Sequence, residues 1–386
     1  MTHVLHTHIK TDNFEQDDYR VYLTRDLTWT TRNHESQKIP INPEGAWGAG
    51  DLAYDPVLMQ RLSTFIKQNS WVNEPGHMWG DTYQKHQFFL DWLRNGELEQ
   101  AHDHLNLMHQ SPLMHGISQG DIEFNIYKDY PETMRMRLLR TWDVFLGLME
   151  YAGVIGPQNH EQGASFLSVS VDYLLSNAPD YITAPRWQGG LWGMKTSRGL
   201  FSDRDLMSLY IALKIREKYP KDTRILEIGG GAGFTAYWLH KFGFHNVFSV
   251  DIPSVAVCQA YQLAANIGAE NISLPNESYE APVKFISPDQ ILHRVDKFDL
   301  VVNSDSMPEM DKESLTGYLN FISTNARTFY SINQECRGTY NGTMQHVVRS
   351  VIKNEFGERL IRIDRSRFWL RDGYTEEWYV NPNFQP

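Results

Sequence analysis

The sequence predicts an α/β fold, in which a sheet of mainly parallel strands in residues 201–386 follows a mostly helical part in residues 1–200. An apolar run at residues 224–228 ends in a glycine-rich turn and a helix, as at the start of a βαβ unit. Strand-like and helix-like stretches then alternate, which is typical of a parallel sheet. Two final strand-like runs have no long helix between them, which indicates a closing antiparallel hairpin.

Seven apolar, β-branched runs supply the candidate strands of this sheet. They lie at residues 224–228, 246–250, 283–286, 298–303 and 328–332 for the parallel part, and at 359–363 and 377–380 for the hairpin. Residues 55–150 instead carry apolar side chains at helical spacing. We therefore expect two domains, with the boundary near residue 200.

Composition limits the classes of function. A chain of 386 residues is long enough for more than one core, and its formal net charge of -11 disfavours a nucleic-acid partner. The two cysteines, Cys258 and Cys336, predict free thiols in a reducing compartment, and no apolar run is long enough to span a membrane. The expectation is a cytoplasmic protein with a small-molecule substrate. An N-terminal arm at residues 1–50 would suit a homodimer.

The glycine turn allows two interpretations. Gly231, Gly233 and Ala236 fit a dinucleotide fingerprint, whereas Gly229, Gly231 and Gly233 form an alternating set directly after Glu227. A dinucleotide places a doubly anionic pyrophosphate at such a turn, where the Glu227 carboxylate would repel it. S-adenosylmethionine (SAM) has no phosphate, and its ammonium group would be attracted by an acid. The charge therefore favours SAM over a nicotinamide dinucleotide.

A second acid lies at the end of the next strand. Asp251 follows the glycines by about 20 residues, where an acidic side chain accepts hydrogen bonds from the ribose hydroxyls of a nucleoside cofactor. A carboxylate suits a vicinal diol because its two oxygens accept two hydrogen bonds. The alternative for Asp251 is a helix N-cap, since Pro253 follows it.

Two motifs resemble known families. The run E-I-G-G-G-A-G-F at residues 227–234 resembles motif I of the class I SAM-dependent methyltransferases, which have a Rossmann-like seven-stranded sheet with a closing antiparallel hairpin. The run N-S-D-S-M-P-E-M at residues 303–310 resembles the family of sugar O-methyltransferases, a bacterial branch of that class with a helical N-terminal extension. The resemblance covers roughly residues 201–386.

The resemblance implies a set of SAM contacts. Arg204 would pair with the SAM carboxylate, Asp289 or Gln290 would lie near the adenine, and Asn303 and Ser304 would contact the cofactor. The full cofactor set is Arg204, Glu227, Gly229, Gly231, Gly233, Asp251, Asp289, Gln290, Asn303 and Ser304.

The acceptor side is predicted from the chemistry of methyl transfer. An alcohol needs a general base, and the candidates are Glu309, which the resemblance places at the transfer site, and His115 in a glycine-bearing loop of the helical part. Asp305 and Met307 belong to the loop after the fourth strand, which should face the acceptor. Trp187 and Trp192 lie among four glycines and predict an aromatic lid over the substrate.

No metal is expected, because a helix would leave His104 off the face shared by His102 and His109. The predicted reaction is O-methylation of a sugar or another small, polar natural-product precursor. N-methylation of an amine or guanidine stays open, with Glu309, Asp305 and Glu335 binding the cationic acceptor. More distant alternatives are a nicotinamide oxidoreductase and a non-catalytic SAM-binding subunit.

Overall fold

The computed structural model describes residues 43–69, 78–154, 171–275, 277–335, 339–340 and 343–385. Most of the predicted N-terminal arm and Cys336 therefore lie outside the described residues, whereas Cys258 is a buried free thiol. Among the helices of the described ranges, none combines the length and apolar character that crossing a membrane requires.

The N-terminal part is built mainly of helices. The first helix of the described residues follows Asp55, whose carboxylate caps it by accepting hydrogen bonds from the Val57 and Leu58 amides. The elements are β1 (Gly45–Trp47), α1 (Pro56–Gln68), α2 (Met78–Lys85), α3 (Gln87–Asn95), α4 (Leu98–Asn106), α5 (Asp121–Asp129), α6 (Pro131–Tyr151) and α7 (Val171–Asn177). Short 3₁₀ turns at Met108–Gln110 and Pro112–Met114 join α4 to the loop that precedes α5.

A small antiparallel sheet joins the two parts of the chain. Strands β2 (Trp192–Thr196) and β3 (Gly199–Phe201) pair with each other, and β2 also pairs with β1. Helix α8 (Asp203–Lys218) follows, and its Ser202 N-cap and Asp205 bond reciprocally in a capping box.

The C-terminal part alternates strands and helices as predicted. The elements are β4 (Ile225–Ile228), α9 (Phe234–Lys241), β5 (Val247–Val250), α10 (Pro253–Ile267), β6 (Ile272–Ser273), β7 (Val283–Ile286), α11 (Pro288–His293), β8 (Phe298–Ser304), α12 (Lys312–Asn325), β9 (Ala326–Gln334), β10 (Thr339–Tyr340), β11 (Thr343–Met344), α13 (Val348–Val351), β12 (Ile361–Arg367) and β13 (Tyr374–Val380).

The main sheet has the order β12-β13-β9-β8-β4-β5-β7-β6. Strand β13 runs antiparallel to both of its neighbours, and every other pairing in this sheet is parallel. The predicted Rossmann-like sheet with a closing antiparallel hairpin is therefore confirmed. The predicted number of strands needs correction, because in the described part of the chain the two-residue strand β6 pairs with the edge of β7 and makes an eighth strand.

Buried side chains form two apolar clusters on the described part of the chain. The larger one contains residues of the helical part and of the sheet, and Phe145 and Phe201 contact within it with ring centroids 5.4 Å apart. The smaller cluster includes Leu226, Phe329 and the apolar face of α12. Because the helical part packs against the sheet in one continuous core, its α2 and the loop before α5 reach the end of the sheet where strands β4 and β8 finish.

Candidate functional site

A cavity of about 290 Å³ lies where β4, β5 and β8 end. Ligands of open α/β sheets bind at this carboxyl edge. Its wall combines the glycine turn with residues of α8, of the loops after β5, β7 and β8, of the C-terminal hairpin and of the helical part. The lining residues used below are Trp79, Gly116, Ile117, Arg204, Glu227, Gly229, Gly231, Asp251, Asp289, Ser304, Asp305, Glu309, Arg371 and Tyr374.

The three alternating glycines of the turn have different roles. All have positive φ, at 71° for Gly229, 56° for Gly231 and 82° for Gly233. A Cβ on Gly229 would lie 2.1 Å from Ser306 Oγ, and one on Gly233 would lie 2.9 Å from Gln259 Cγ and 3.1 Å from Leu263 Cγ, which is closer than ordinary van der Waals contact. A Cβ on Gly231 would approach only Ile117, at 3.3 Å. Gly229 and Gly233 therefore permit close packing, whereas Gly231 opens towards the cavity.

Two buried carboxyl groups flank this turn. Burial raises the pKa of Glu227 to about 8, and its Oε2 has no hydrogen-bond partner among the described residues. Asp251 accepts hydrogen bonds from the amides of Gly231, at 2.9 Å, and of Ile252, at 2.8 Å. Burial raises the pKa of Asp251 to about 7 despite these bonds. Both carboxyl groups are therefore mostly or partly protonated at neutral pH in the ligand-free protein, and a cationic ligand would favour their ionised forms whereas a pyrophosphate would oppose them.

Asp305 lies across the cavity wall in an unusual backbone conformation. Its φ is 70°, and no other non-glycine residue of the described ranges has a positive φ. Its amide donates to the Ile332 carbonyl at 2.9 Å, and its carboxylate accepts hydrogen bonds from the Arg371 guanidinium and the Tyr374 hydroxyl. Such conformations cost free energy and persist where surrounding contacts hold them. The two hydrogen bonds to the C-terminal hairpin provide those contacts.

Arg204 lies on the first turn of α8 and lines the same cavity. It forms an ion pair with Asp305 at the long N–O distance of 4.0 Å. Burial lowers the pKa of Arg204, and the nearby Arg371 guanidinium lowers it further. Asp203 and Asp305 act on this pKa in the opposite direction. Because Asp305 bonds Arg371 and lies 4.0 Å from Arg204, the Arg204 guanidinium stays available to an anionic group of a ligand.

Glu309 ends a 3₁₀ turn, Met307–Glu309, that follows β8. The Trp79 indole N–H donates a hydrogen bond of 2.9 Å to Glu309 Oε2. Burial raises the pKa of Glu309 to about 8, and Asp305 contributes to this rise, while Trp79, Arg371 and Arg204 act in the opposite direction. A carboxyl group with this pKa exchanges a proton near neutral pH, as a general base must.

Three residues predicted to contact the substrate lie elsewhere, and those predictions are corrected. Trp187 is buried against Phe234 with ring centroids 4.4 Å apart, and its indole N–H donates to the Leu200 carbonyl at 2.6 Å. Trp192 belongs to β2, where its ring packs against Trp47. Met307 is fully buried in the smaller apolar cluster. The tryptophans between the glycines are thus part of the packing and form no lid.

Four further predicted residues are near the cavity but do not line it. Asn303 is buried and donates to the Ile228 carbonyl at 2.9 Å and to Ser306 Oγ at 2.6 Å, so that it fastens the loop after β8 to the glycine turn. Gln290 lies on the outer side of α11, in a separate surface groove. Gly233 packs beneath the turn. His115 does not line the cavity, whereas the next two residues, Gly116 and Ile117, do.

The lining residues that were not predicted from the sequence include Trp79, Arg371 and Tyr374. Arg371 and Tyr374 flank the turn of the closing hairpin. The position of that hairpin in the sheet is the signal that could have identified them. No local signal identifies Trp79, because it lies 230 residues from Glu309 in the sequence.

Glu335 was part of the predicted binding site for a cationic acceptor. Its carboxylate is 3% exposed and is paired with Arg349, at 3.1 Å, and Arg365, at 3.3 Å. It does not line the cavity. A buried carboxylate that already neutralises two guanidinium groups has little capacity for a third cation.

No family model matches this sequence, and no curated protein matches it. A solved protein from Thermoplasma acidophilum aligns with 46% of this chain and 90% of its own, at 14% identity and a TM-score of 0.33. Magnesium protoporphyrin IX methyltransferase from Synechocystis with bound SAM aligns with 46% of this chain and 80% of its own, at 13% identity and a TM-score of 0.35. The glycopeptide N-methyltransferase MtfA, complexed with S-adenosylhomocysteine, aligns with 45% and 90%, at 14% identity and 0.35. At such identities and TM-scores, the functional assignment rests on the residues of the site.

Proposed function

We propose that this chain is a SAM-dependent methyltransferase. The observation that carries the proposal is the buried Glu227 carboxyl group beside the glycine turn, with one oxygen left without a partner among the described residues. An ionised, buried carboxylate requires a compensating charge or hydrogen-bond donors. The aminopropyl end of SAM carries an ammonium and a sulfonium, which provide both, whereas a pyrophosphate would add a repulsion.

The rest of the cavity fits the remaining parts of SAM. Gly231 leaves room for the cofactor to approach the backbone, since a Cβ there would project into the cavity. Asp251 follows β5 at the position for ribose hydroxyls, and Asp289 lines the wall where the adenine would lie. Arg204 offers its guanidinium to the carboxylate of the methionine end. Ser304 completes the set at the end of β8.

When bound, SAM supplies a methyl group that moves to the acceptor oxygen while the electron pair of the broken C–S bond stays on sulfur. The residues of this chain align the acceptor with that methyl group and accept the proton that the acceptor loses. Glu309 is the base in this proposal, because its carboxyl group lines the cavity and titrates near neutral pH. Asp305, fixed by Arg371 and Tyr374, forms the polar wall beside it.

We infer that the acceptor is the hydroxyl group of a sugar or of a similarly small, polar natural-product precursor. A cationic acceptor would need carboxylates that face it without other partners. Asp305 is already paired with Arg371, and Glu335 is buried against two arginines, which leaves Glu309 as the carboxyl group of this set without an arginine partner within ion-pair distance among the described residues. One base beside the acceptor suits an alcohol better than a guanidine.

The proposal is tested by incubating the purified protein with methyl-labelled SAM and a panel of acceptors. The panel should contain monosaccharides and their glycosides, together with primary amines, amino acids and guanidines as the competing class. We expect label transfer to members of the first group, with the methyl group on oxygen by mass spectrometry. Transfer only to nitrogen would support the N-methyltransferase alternative, and binding of SAM without transfer to any acceptor would favour a non-catalytic subunit.

A further inference from the structure

The side chain of Trp79 connects the helical part of the chain to Glu309. Trp79 lies in the first turn of α2, and its indole N–H donates to Glu309 Oε2 at 2.9 Å. Its ring also lines the cavity next to Gly116, on which a Cβ would lie 3.9 Å from Trp79 Cη2. One side chain from the N-terminal part therefore contacts both the carboxyl group and the space beside it.

The hydrogen bond has a consequence for the geometry of Glu309. A carboxylate has two oxygens, and a base must present one of them to the proton that it removes. The indole occupies Oε2, while Oε1 accepts no hydrogen bond from the described residues. A donor with a rigid ring restricts the rotation of the carboxyl group and leaves the second oxygen available to an acceptor hydroxyl.

We propose that Trp79 is a positioning residue for methyl transfer, which orients the Glu309 carboxylate through its indole N–H and forms the apolar wall of the acceptor subsite with its ring. This inference rests on the proposed function and deepens it. The acceptor class that fits is a polar molecule with a saturated ring, whose C–H face would lie on the indole while a hydroxyl points to Glu309. The helical part is then required for catalysis as well as for packing.

Several charged groups face Glu309 and must be considered together. Asp305 from the loop after β8 raises its pKa, whereas Arg371 from the C-terminal hairpin and Arg204 from α8 lower it. The Trp79 N–H also lowers it, because the hydrogen bond stabilises the ionised form. Removing this donor while keeping the ring should therefore raise the pKa of Glu309, and loss of one charge-assisted hydrogen bond corresponds to about one pH unit.

The first experiment does not depend on knowing the acceptor. Wild type and Trp79→Phe are labelled with [δ-¹³C]glutamate, saturated with S-adenosylhomocysteine and titrated by NMR, with the Glu309 signal identified by its loss in Glu309→Gln. We expect the midpoint to rise by about one pH unit in Trp79→Phe. Trp92→Phe is the matched control, since Trp92 lies on α3 against Phe88 and His104 and does not line the cavity. An unchanged midpoint in Trp79→Phe would overturn the proposal.

The second experiment uses the acceptor found active in the panel. At pH 7, Trp79→Phe should be roughly ten-fold slower than wild type, and the difference should narrow as the pH approaches about 9.5, with S-adenosylhomocysteine affinity unchanged. An equal loss at every pH would indicate a merely structural role and would contradict the proposal. If wild type methylates no acceptor, the proposed function fails, but the NMR midpoint still decides whether Trp79 controls Glu309.

A third variant covers the case in which Trp79→Phe does not fold. Site-specific 3-benzothienylalanine at position 79 keeps the bicyclic shape of the indole and replaces its N–H by sulfur. The same rise in the Glu309 midpoint is expected. A midpoint equal to that of wild type would again overturn the proposal.

Discussion

The two halves of the cavity differ in how they are assembled. The cofactor half takes Glu227, Gly231 and Asp251 from one βαβ unit, at residues 227–251. The acceptor half combines residues that lie far apart in sequence, because Trp79 bonds Glu309 across 230 positions and Arg371 bonds Asp305 across 66. The first half is a local property of the chain, and the second exists only in the folded protein.

The charges of the two halves differ as well. The cofactor half holds buried carboxyl groups without arginine partners among the described residues, and burial raises the pKa of both Glu227 and Asp251. The acceptor half contains two guanidinium groups around Asp305 and beside Glu309. We infer that the first half is completed by a cationic group, whereas in the second half Asp305 is already paired with Arg371, which favours an uncharged polar acceptor.

The largest expected effect is a loss of cofactor binding, from a change in the cofactor half alone. Gly231→Val should lower the affinity for S-adenosylhomocysteine roughly 100-fold, because its side chain would fill the cavity and such a clash costs about 3 kcal/mol. Isothermal titration calorimetry measures this affinity. Gly96→Val is the matched control, since Gly96 has a positive φ of 83° and a Cβ there would have nothing within 4 Å. Equal affinities in the two variants would contradict the position of the cofactor.

The second prediction is a loss of turnover, from a change in the acceptor half alone. Glu309→Gln should lower kcat roughly 100-fold, since a general base contributes about that much, while the affinity for SAM is kept. The measurements are turnover with the active acceptor and calorimetric binding of S-adenosylhomocysteine. Glu313→Gln, an exposed position in the first turn of α12, is the control. Weaker cofactor binding with normal turnover would instead make Glu309 a cofactor ligand.

A smaller effect is expected in the cofactor half, where Asp251 is predicted to contact the ribose. Asp251→Ala should weaken SAM binding by about 1–3 kcal/mol if its carboxylate accepts charge-assisted hydrogen bonds from the ribose. The exposed Asp222→Ala is the control for loss of one negative charge. Binding of SAM as tight as that of wild type would show that Asp251 has no part in holding the ribose.

The last prediction concerns stability and its pH dependence. The folded-state pKa of Glu227, about 8, lies above its ordinary value of 4.5, so the folded protein holds a proton that the unfolded chain releases. The free energy of unfolding therefore falls as the pH rises from about 4.5 to 8, by at most about 1.4 kcal/mol per pH unit for this group. Glu227→Gln should raise the melting temperature of the ligand-free protein at pH 8 more than at pH 5, and should weaken SAM binding.

Calorimetric melting of both proteins across this pH range checks the last prediction. Asp251 and Glu309 have pKa values raised in the same direction, so the pH dependence should be reduced in Glu227→Gln but not abolished. A variant with an unchanged pH dependence and unchanged SAM affinity would contradict the charge assigned to Glu227.

The contrast between the halves also explains what could be predicted from the sequence. Periodicity and the glycine turn located the strands of the sheet, and Glu227, Gly231 and Asp251 line the cavity because strand ends place them there. Trp187 and Trp192 were misjudged because two tryptophans among glycines suggest a loop. Trp187 instead packs against Phe234 of α9, and Trp192 lies in the paired strand β2. Trp79 gave no signal, since its contact with Glu309 depends on how the helical part packs against the sheet.

The central claim is that the glycine turn beside Glu227 binds an adenosine cofactor without phosphates. Calorimetric titration of the wild-type protein with S-adenosylhomocysteine and, separately, with NADH tests it most directly. We expect saturable one-to-one binding of S-adenosylhomocysteine and no detectable binding of NADH at the same concentrations. Saturable binding of NADH, with S-adenosylhomocysteine failing to bind, would contradict the claim and the function built on it.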